Sequence, residues 1–393
     1  MPHTRLSAVA VFLLGAAAFA PAQSLEQRLA ADPTDTVALS KLALEQLQLG
    51  RRSGDHEPLA RAEELFGRWL EQSPDSADAC AGLAYARLGR HDFEGALDAA
   101  RRAALRKPDN GLVWSLIGDI HYALGNYVEA EMAFRRLEER GLTLQSLARL
   151  GLIAEAYGRF DEALGLFRDG LEAGRLLESP AADLAWCHSM IGELYLQREH
   201  LDQACAAFDR ALQLDANSNF AAHGRAEVLA KRGQPAEAER VLRELVERAP
   251  NPRYWIRLGD ALAAQGKVEE AARWYAQAEA DMLDDLEKNE LGHLRDLAEY
   301  WLEHGGDARA AAELALADLH EVRHDIGAYE TAAWALHLAG RTEEALPLIA
   351  EALRPGGGET RLWERASEIY AAAGNQFQSR RLLALAQQRS GRR

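Results

Sequence analysis

Between residues 111 and 141, apolar positions recur at helical spacing in two stripes separated by a breaker. Trp114, Ile117, Gly118 and His121 form the first stripe, Ala130, Phe134 and Leu137 the second, and Gly125 lies between them. The spacing predicts two short helices folded back on one another. Gly118 and Ala130 are small enough to let the axes approach, while Trp114, Tyr127 and Phe134 fill the remaining space. A helical hairpin is the consequence.

The same pattern recurs along the chain. A short helical lead over 23–35 includes Leu25 to Ala31 and ends at Asp32-Pro33. The first hairpin pairs Val37 to Leu49 with Pro58 to Gln72, and the polar insertion Arg51 to Glu57 is expected as an exposed turn. The second is marked by Gly82, Tyr85, Gly89, Ala96 and Ala103, with two extra turn residues, and the fourth by Gly151, Gly158, Phe160, Ala163 and Phe167. A longer link, Glu172 to Leu184, leads to the fifth, marked by Gly192, Tyr195, Ala204, Phe208 and Ala211. Ala226, Gly233, Ala238 and Leu242 mark the sixth, and Trp255, Gly259, Gly266, Ala271 and Tyr275 the seventh. The eighth and tenth are degenerate, within 286–325 and 359–393, and Pro347 is expected to kink the second helix of the ninth. Turn glycines are spaced regularly: Gly125 to Gly158 is 33 residues, Gly233 to Gly266 is 33, Gly305 to Gly340 is 35 and Gly340 to Gly374 is 34.

Composition fits this reading. With 48% apolar and 27% charged residues the chain can bury a large helical core, and no sustained period-two run argues for a sheet. At the N-terminus, Arg5, the apolar run Leu6 to Phe19 and Ala20-Pro21-Ala22 have the order of a secretory signal, so residues 1–22 are expected to be removed near Ala22. A periplasmic or secreted protein follows, with no membrane span in the mature chain. That chain carries 44 basic against 61 acidic side chains, a net −17, which disfavours nucleic acid as a partner. Cys80, Cys187 and Cys205 show no metal-binding spacing and read as small buried residues rather than a disulfide pair.

A large residue, Leu, Gly and Tyr on one helix, then Ala and Phe on the next, over 34 residues, resembles the tetratricopeptide repeat (TPR). The resemblance covers residues 36–393 and implies an all-α fold, a right-handed superhelical solenoid of about ten hairpins whose first helices line a concave groove. In repeat numbering Trp114 is position 4, Gly118 is 8, Gly125 is 15, Ala130 is 20 and Phe134 is 24. The family lines its groove from positions 2, 5, 9, 12 and 13.

Carried over, position 9 holds Asp119, Leu152, Glu193, Glu227, Asp260, Glu299, Trp334 and Glu368 in the third to tenth hairpins. A carboxylate ladder of this kind costs stability unless cations neutralise it, so the expected ligand is a basic or amphipathic protein segment. Apolar neighbours Trp186, Phe220, Ile256 and Trp334 would flank it. The family's clamp for acidic tails needs Lys at position 5 and Asn at position 9, whereas position 5 here holds Ser115, Ala148, Ser189, His223 and Ile256.

One catalytic motif competes. His320-Glu321-Val322-Arg323-His324 is an HExxH, which on a continuous helix would put both imidazoles on one face to bind zinc, with Glu321 as general base. Asp325-Ile326-Gly327 extends it toward the metzincin peptidases, but their third ligand falls at Glu330, and the methionines 1, 132, 190 and 282 allow no Met-turn downstream. Glu343 or Glu344 could instead supply a thermolysin-like third ligand. The motif also sits at positions 30 to 34, where the repeat's helix ends. The expectation is therefore an exported, non-enzymatic scaffold without cofactors, serving assembly of an envelope complex such as a secretion, pilus or polysaccharide-export machine. A zinc peptidase and a self-associating structural protein stand as the competing readings.

Overall fold

The structure, a computed structural model, describes residues 24–53, 56–139, 141–288 and 291–390; the 1–22 segment read as a signal lies outside them. Among the described residues the chain is helical throughout and no strand occurs. A lead helix, α1 (Leu25–Ala31), precedes ten antiparallel pairs. The first four are α2 (Thr36–Ser53) with α3 (His56–Gln72), α4 (Ala77–Gly89) with α5 (Phe93–Arg106), α6 (Gly111–Ala123) with α7 (Tyr127–Glu138), and α8 (Leu144–Ala156) with α9 (Phe160–Leu176). The next three are α10 (Ala181–Leu196) with α11 (Leu201–Leu214), α12 (Asn219–Lys231) with α13 (Pro235–Arg248), and α14 (Pro252–Ala263) with α15 (Val268–Glu287). The last are α16 (Leu294–Glu303) with α17 (Ala308–Ala317), α18 (Ile326–Leu338) with α19 (Thr342–Leu353), and α20 (Thr360–Ala372) with α21 (Gln376–Ser390). No helix among the described residues is long and apolar enough to cross a membrane.

Local chemistry sets the helix ends. Ser76, Asn110, Ser218, Asp307 and Asp325 each accept a backbone amide two or three residues on, which starts α4, α6, α12, α17 and α18. Within the hairpins, the aromatic of the second helix lies over the glycine of the first. A Cβ on Gly118 would meet the Phe134 ring at 2.2 Å, and one on Gly259 would meet Tyr275 at 2.4 Å. Phe208 is wedged between Gly192 of its own hairpin and Gly224 of the next, each of whose Cβ atoms would lie under 3 Å from its ring. Phe66, Phe134, Phe167 and Phe208 are fully buried, so each stitches neighbouring helices into one core.

Four local expectations change. The polar stretch 51–57 is not one exposed loop: α2 runs to Ser53 and α3 begins at His56, whose ring stacks 5.9 Å from His293. In the second hairpin the left-handed residue is His91 (φ 62) rather than Gly89, because the two extra residues move the reversal onward. The link 172–184 is mostly helix, since α9 extends to Leu176, and Pro180 is the N-cap of α10. Pro347 does not interrupt α19; it lies on the solvent face, and the carbonyl left without its amide is that of exposed Glu343. All three cysteines are free; burial pushes the Cys187 thiol up to about 12.

The solenoid closes on itself. One apolar cluster joins the first three hairpins to Leu294 and Val322, far along the chain. Beyond it the His324 amide donates to the Leu124 carbonyl at 3.2 Å, Gly357 to Ala156 at 3.0 Å, and Thr360 to Gln197 at 3.2 Å. The Thr360 hydroxyl donates to the same Gln197 carbonyl at 2.9 Å. Turns of hairpins three to five thus pair with the links flanking hairpins nine and ten, and the groove becomes an interior chamber.

Two turn glycines carry this seam. Gly125 and Gly158 have φ of 78° and 69°, and their Cβ positions would lie 2.3 Å from the His324 oxygen and 2.1 Å from the Gly356 oxygen. At Gly266, φ is 76° but a Cβ would meet nothing. Gly158→Ala and Gly266→Ala should share a left-handed backbone cost of about 1–2 kcal/mol. Gly158→Ala should lose about 1–3 kcal/mol more from overpacking at the seam, measured by urea unfolding. Equal losses at the two positions would contradict the closed seam.

Candidate functional site

First helices of the middle hairpins point their side chains into the chamber, which comprises two adjoining cavities of about 460 and 830 Å³. Both are lined by Glu193, Gln197, His223, Glu227, Arg257, Glu303, Glu359 and Arg361. The larger also takes in Tyr122, Tyr127, Glu155, Phe220, Arg253, Ile256, Arg295, Asp296, Glu299, Arg323 and Asp325. The wall is mixed in charge rather than uniformly acidic.

Most of these charges answer one another. Arg253 lies 2.8 Å from Asp296, Arg257 2.9 Å from Asp260, Arg295 2.9 Å from Asp325 and Arg323 3.0 Å from Asp318. Arg361 reaches Glu303 at 3.3 Å and Glu330 at 3.4 Å. Asp260 also accepts from the Tyr275 hydroxyl at 2.9 Å and lies 2.9 Å from His304 Nε2. Burial pushes the Asp260 carboxyl up, but the bonds from His304, Arg257 and Tyr275 outweigh it and hold the group below its ordinary range.

A local excess of acid remains. Glu155 accepts from the neutral Gln197 amide at 2.6 Å, and among the described residues neither Glu193 nor Glu227 has a hydrogen-bond or ion-pair partner. Burial, then the charges of Glu227, Glu359 and Glu155, push the Glu193 carboxyl well above the usual carboxylate range. His223, beside them, is pushed down to about 3 by burial and by Arg257 and Arg253, so its imidazole is neutral. Two partnerless carboxylates and a neutral imidazole in a recessed space suit a cation better than an anion.

The expected position-9 ladder therefore divides. Glu193 and Glu227 meet in the chamber, with Phe220 and Ile256 on its wall. Asp119 is held 2.8 Å from Arg149, Asp260 is taken as above, and Glu299 accepts from the Thr331 hydroxyl at 2.8 Å. Trp186 packs against the core of the fourth and fifth hairpins, and Arg365 lies over the Trp334 ring at 5.2 Å. Glu368 is exposed and lines neither cavity. Reading position 9 alone missed the groups around it: Arg149 and Arg257, the partners of Asp119 and Asp260, stand at position 6, while Arg253 and Arg361 stand at position 2, Arg295 at 5, Glu155 at 12 and Gln197 at 13. Glu359 comes from a link outside the repeat register.

The HExxH geometry fails for a physical reason. α17 ends at Ala317, a π-helical turn over Asp318–Val322 follows, and Arg323 is extended, so His320 and His324 do not share a helix face. The His324 ring nitrogen lies 2.6 Å from the Leu319 carbonyl, and its backbone amide is spent on the seam. Glu330 is engaged 3.0 Å from Arg365, and Glu344 2.8 Å from Arg341. Among the described residues no group of three or more His, Cys, Asp and Glu is placed to hold a metal ion.

Comparison with known proteins agrees with this architecture. Models of the tetratricopeptide repeat match residues 59–120, 187–218 and 223–285. TPR repeat-containing protein MJ1428 of Methanocaldococcus jannaschii is 28% identical over 153 residues, 39% of this chain and 26% of that protein. The chain thus spans about a quarter of the length of that curated relative. A human IFIT1 dimer with m7Gppp-AAAA superposes with a TM-score of 0.50 at 19% identity, covering 76% of this chain and 68% of that one, which speaks to the fold alone. The human IFIT1 dimer with PPP-AAAA gives 0.46 at 18% identity over 76% and 69%.

A carboxyl pushed up on folding adds stability at low pH and loses it as the pH rises through the folded value. Glu193→Gln should therefore raise the thermal midpoint by a few degrees at pH 8 and leave it unchanged at pH 5. A midpoint gain of the same size at both values would show that Glu193 is not held protonated by its surroundings.

Proposed function

Since the chain is a tetratricopeptide repeat protein, and so an interaction scaffold, we propose that its chamber holds a basic side chain of an extended partner segment between Glu193 and Glu227. One observation carries this reading. Every arginine lining the chamber already has a carboxylate partner, whereas Glu193 and Glu227 have none among the described residues. A polyanion of the kind named in the IFIT1 structures would meet, among the described residues, no unpaired arginine here and one unpaired cation, the exposed Lys231, beside four carboxyl groups, in a chain of net charge −16. A lysine or arginine would displace the proton that burial favours on Glu193 and pair with two carboxylates that have no other ion-pair partner among the described residues, their desolvation already imposed by folding. Phe220 and Tyr254 offer apolar wall to the stem of such a side chain.

The scaffold works without catalysis in the cell envelope, as an assembly factor for a secretion, pilus or polysaccharide-export complex. Export rests on Arg5, the apolar run Leu6 to Phe19 and Ala20-Pro21-Ala22.

Calorimetric titration with a capped hexapeptide bearing a central Arg-Lys pair, and with its Glu-Glu counterpart, tests the site. The basic peptide alone should bind, and Glu193→Gln with Glu227→Gln should weaken it by about tenfold or more, since a charge-assisted bond contributes roughly 1.5–3 kcal/mol. Glu368→Gln should change nothing. Equal binding by the double variant, or a preference for the acidic peptide, would refute the reading.

A further inference from the structure

The carboxylates of the acid cluster come from both sides of the seam. Glu155 and Glu193 stand on α8 and α10, while Glu359 precedes α20, one turn of the solenoid later. Each outer carboxylate adjoins a seam bond in sequence. Glu155 precedes Ala156, whose carbonyl accepts the Gly357 amide at 3.0 Å, and Glu359 precedes Thr360, whose amide and hydroxyl reach the Gln197 carbonyl at 3.2 and 2.9 Å. Gln197 itself ties the seam to the cluster, because its side-chain amide donates to Glu155 at 2.6 Å.

A second feature marks the space as a ligand site. His223, set deep in the wall of both cavities, has no hydrogen-bond partner among the described residues; its ring only leans on Tyr254 at 5.3 Å. The other charged groups near Glu193 are Glu227 and Lys231 on α12, with Arg257 on α14 committed to Asp260. Among the described residues Glu359 itself has only a long ion pair, 3.9 Å to Arg361, and that guanidinium is shared with Glu303 at 3.3 Å and Glu330 at 3.4 Å.

We propose that the cation taken by this site is an electrostatic latch: by bridging Glu193 and Glu227 to Glu359 it locks two successive turns of the solenoid together, so partner binding and chamber closure are one event. The inference rests on the cation-site reading above. Without the cation, charge on Glu227 and Glu359, and on Glu193 once it loses its proton, works against the Gly357–Ala156 and Thr360–Gln197 bonds. With a basic side chain in place the same carboxylates draw the turns together. The partner must therefore enter as an extended chain while the seam is open.

Amide exchange followed by NMR reads the seam directly, because Gly357 and Thr360 donate across it and the Gly266 amide, bonded within its own turn to Ala263 at 2.9 Å, serves as control. With the Arg-Lys hexapeptide at ten times its Kd, exchange at Gly357 and Thr360 should slow about tenfold, as expected of a ligand that binds the closed state alone, and Gly266 should not change. Glu359→Gln removes the repulsion without removing the seam, so the empty variant should already exchange slowly at both positions. Calorimetric binding without added protection, or an empty Glu359→Gln protein that exchanges like wild type, would overturn the latch alone. Absence of calorimetric binding would bring down the cation site and the latch with it.

Discussion

The contact between the turn at Ala156–Gly158 and the glycine run Gly356–Gly358 is the constraint on which the rest depends. Gly357 donates its amide to Ala156, and a side chain at Gly158 would collide with the Gly356 carbonyl. Backbone can approach backbone there only because Gly158 and Gly357 lack Cβ atoms; one on Gly357 would lie 2.4 Å from the Ala156 oxygen. A solenoid whose repeats touch only their neighbours has no such contact; its stability is a sum of adjacent interfaces. Here a second kind of interface, between residues some two hundred apart, turns a groove into a chamber.

Closure changes what the charges can do. On an open concave wall a row of carboxylates would be hydrated and screened within a Debye length. Inside the chamber the same groups are partly desolvated, and the protein has answered most of them with arginines at repeat positions 2, 5 and 6. The pairs at Asp119, Asp260, Asp296 and Asp325 thus hold the architecture. What they leave over, Glu193 and Glu227 with Glu155 and Glu359 beside them, is where a partner's charge is needed.

Much of the fold was legible because the repeat writes each hairpin locally. Phe134 over Gly118 and Tyr275 over Gly259 follow from a bulky residue sixteen positions after a small one. The seam was not legible, since nothing in the spacing of Gly158 and Gly356 says that they meet; Gly266 has the same turn role and touches nothing. The site was half legible. Position 9 supplied Glu193 and Glu227, but the neutralising arginines stood at other positions of the same register, and Glu359 lies in a link with no register. The place of His320 and His324 was legible from the same register: repeat positions 30 to 34 mark a helix end, and there the chain unwinds through a π-helical turn over Asp318–Val322.

Closure is the claim from which both the chamber and its acid site follow. Spin labels at exposed Arg159 and Arg354, each changed to Cys in a protein lacking the native cysteines, flank the seam. Double electron–electron resonance between them should give one short, narrow distance population with the Arg-Lys hexapeptide bound. A long, broad distribution that the peptide does not narrow would describe an open solenoid and contradict the account.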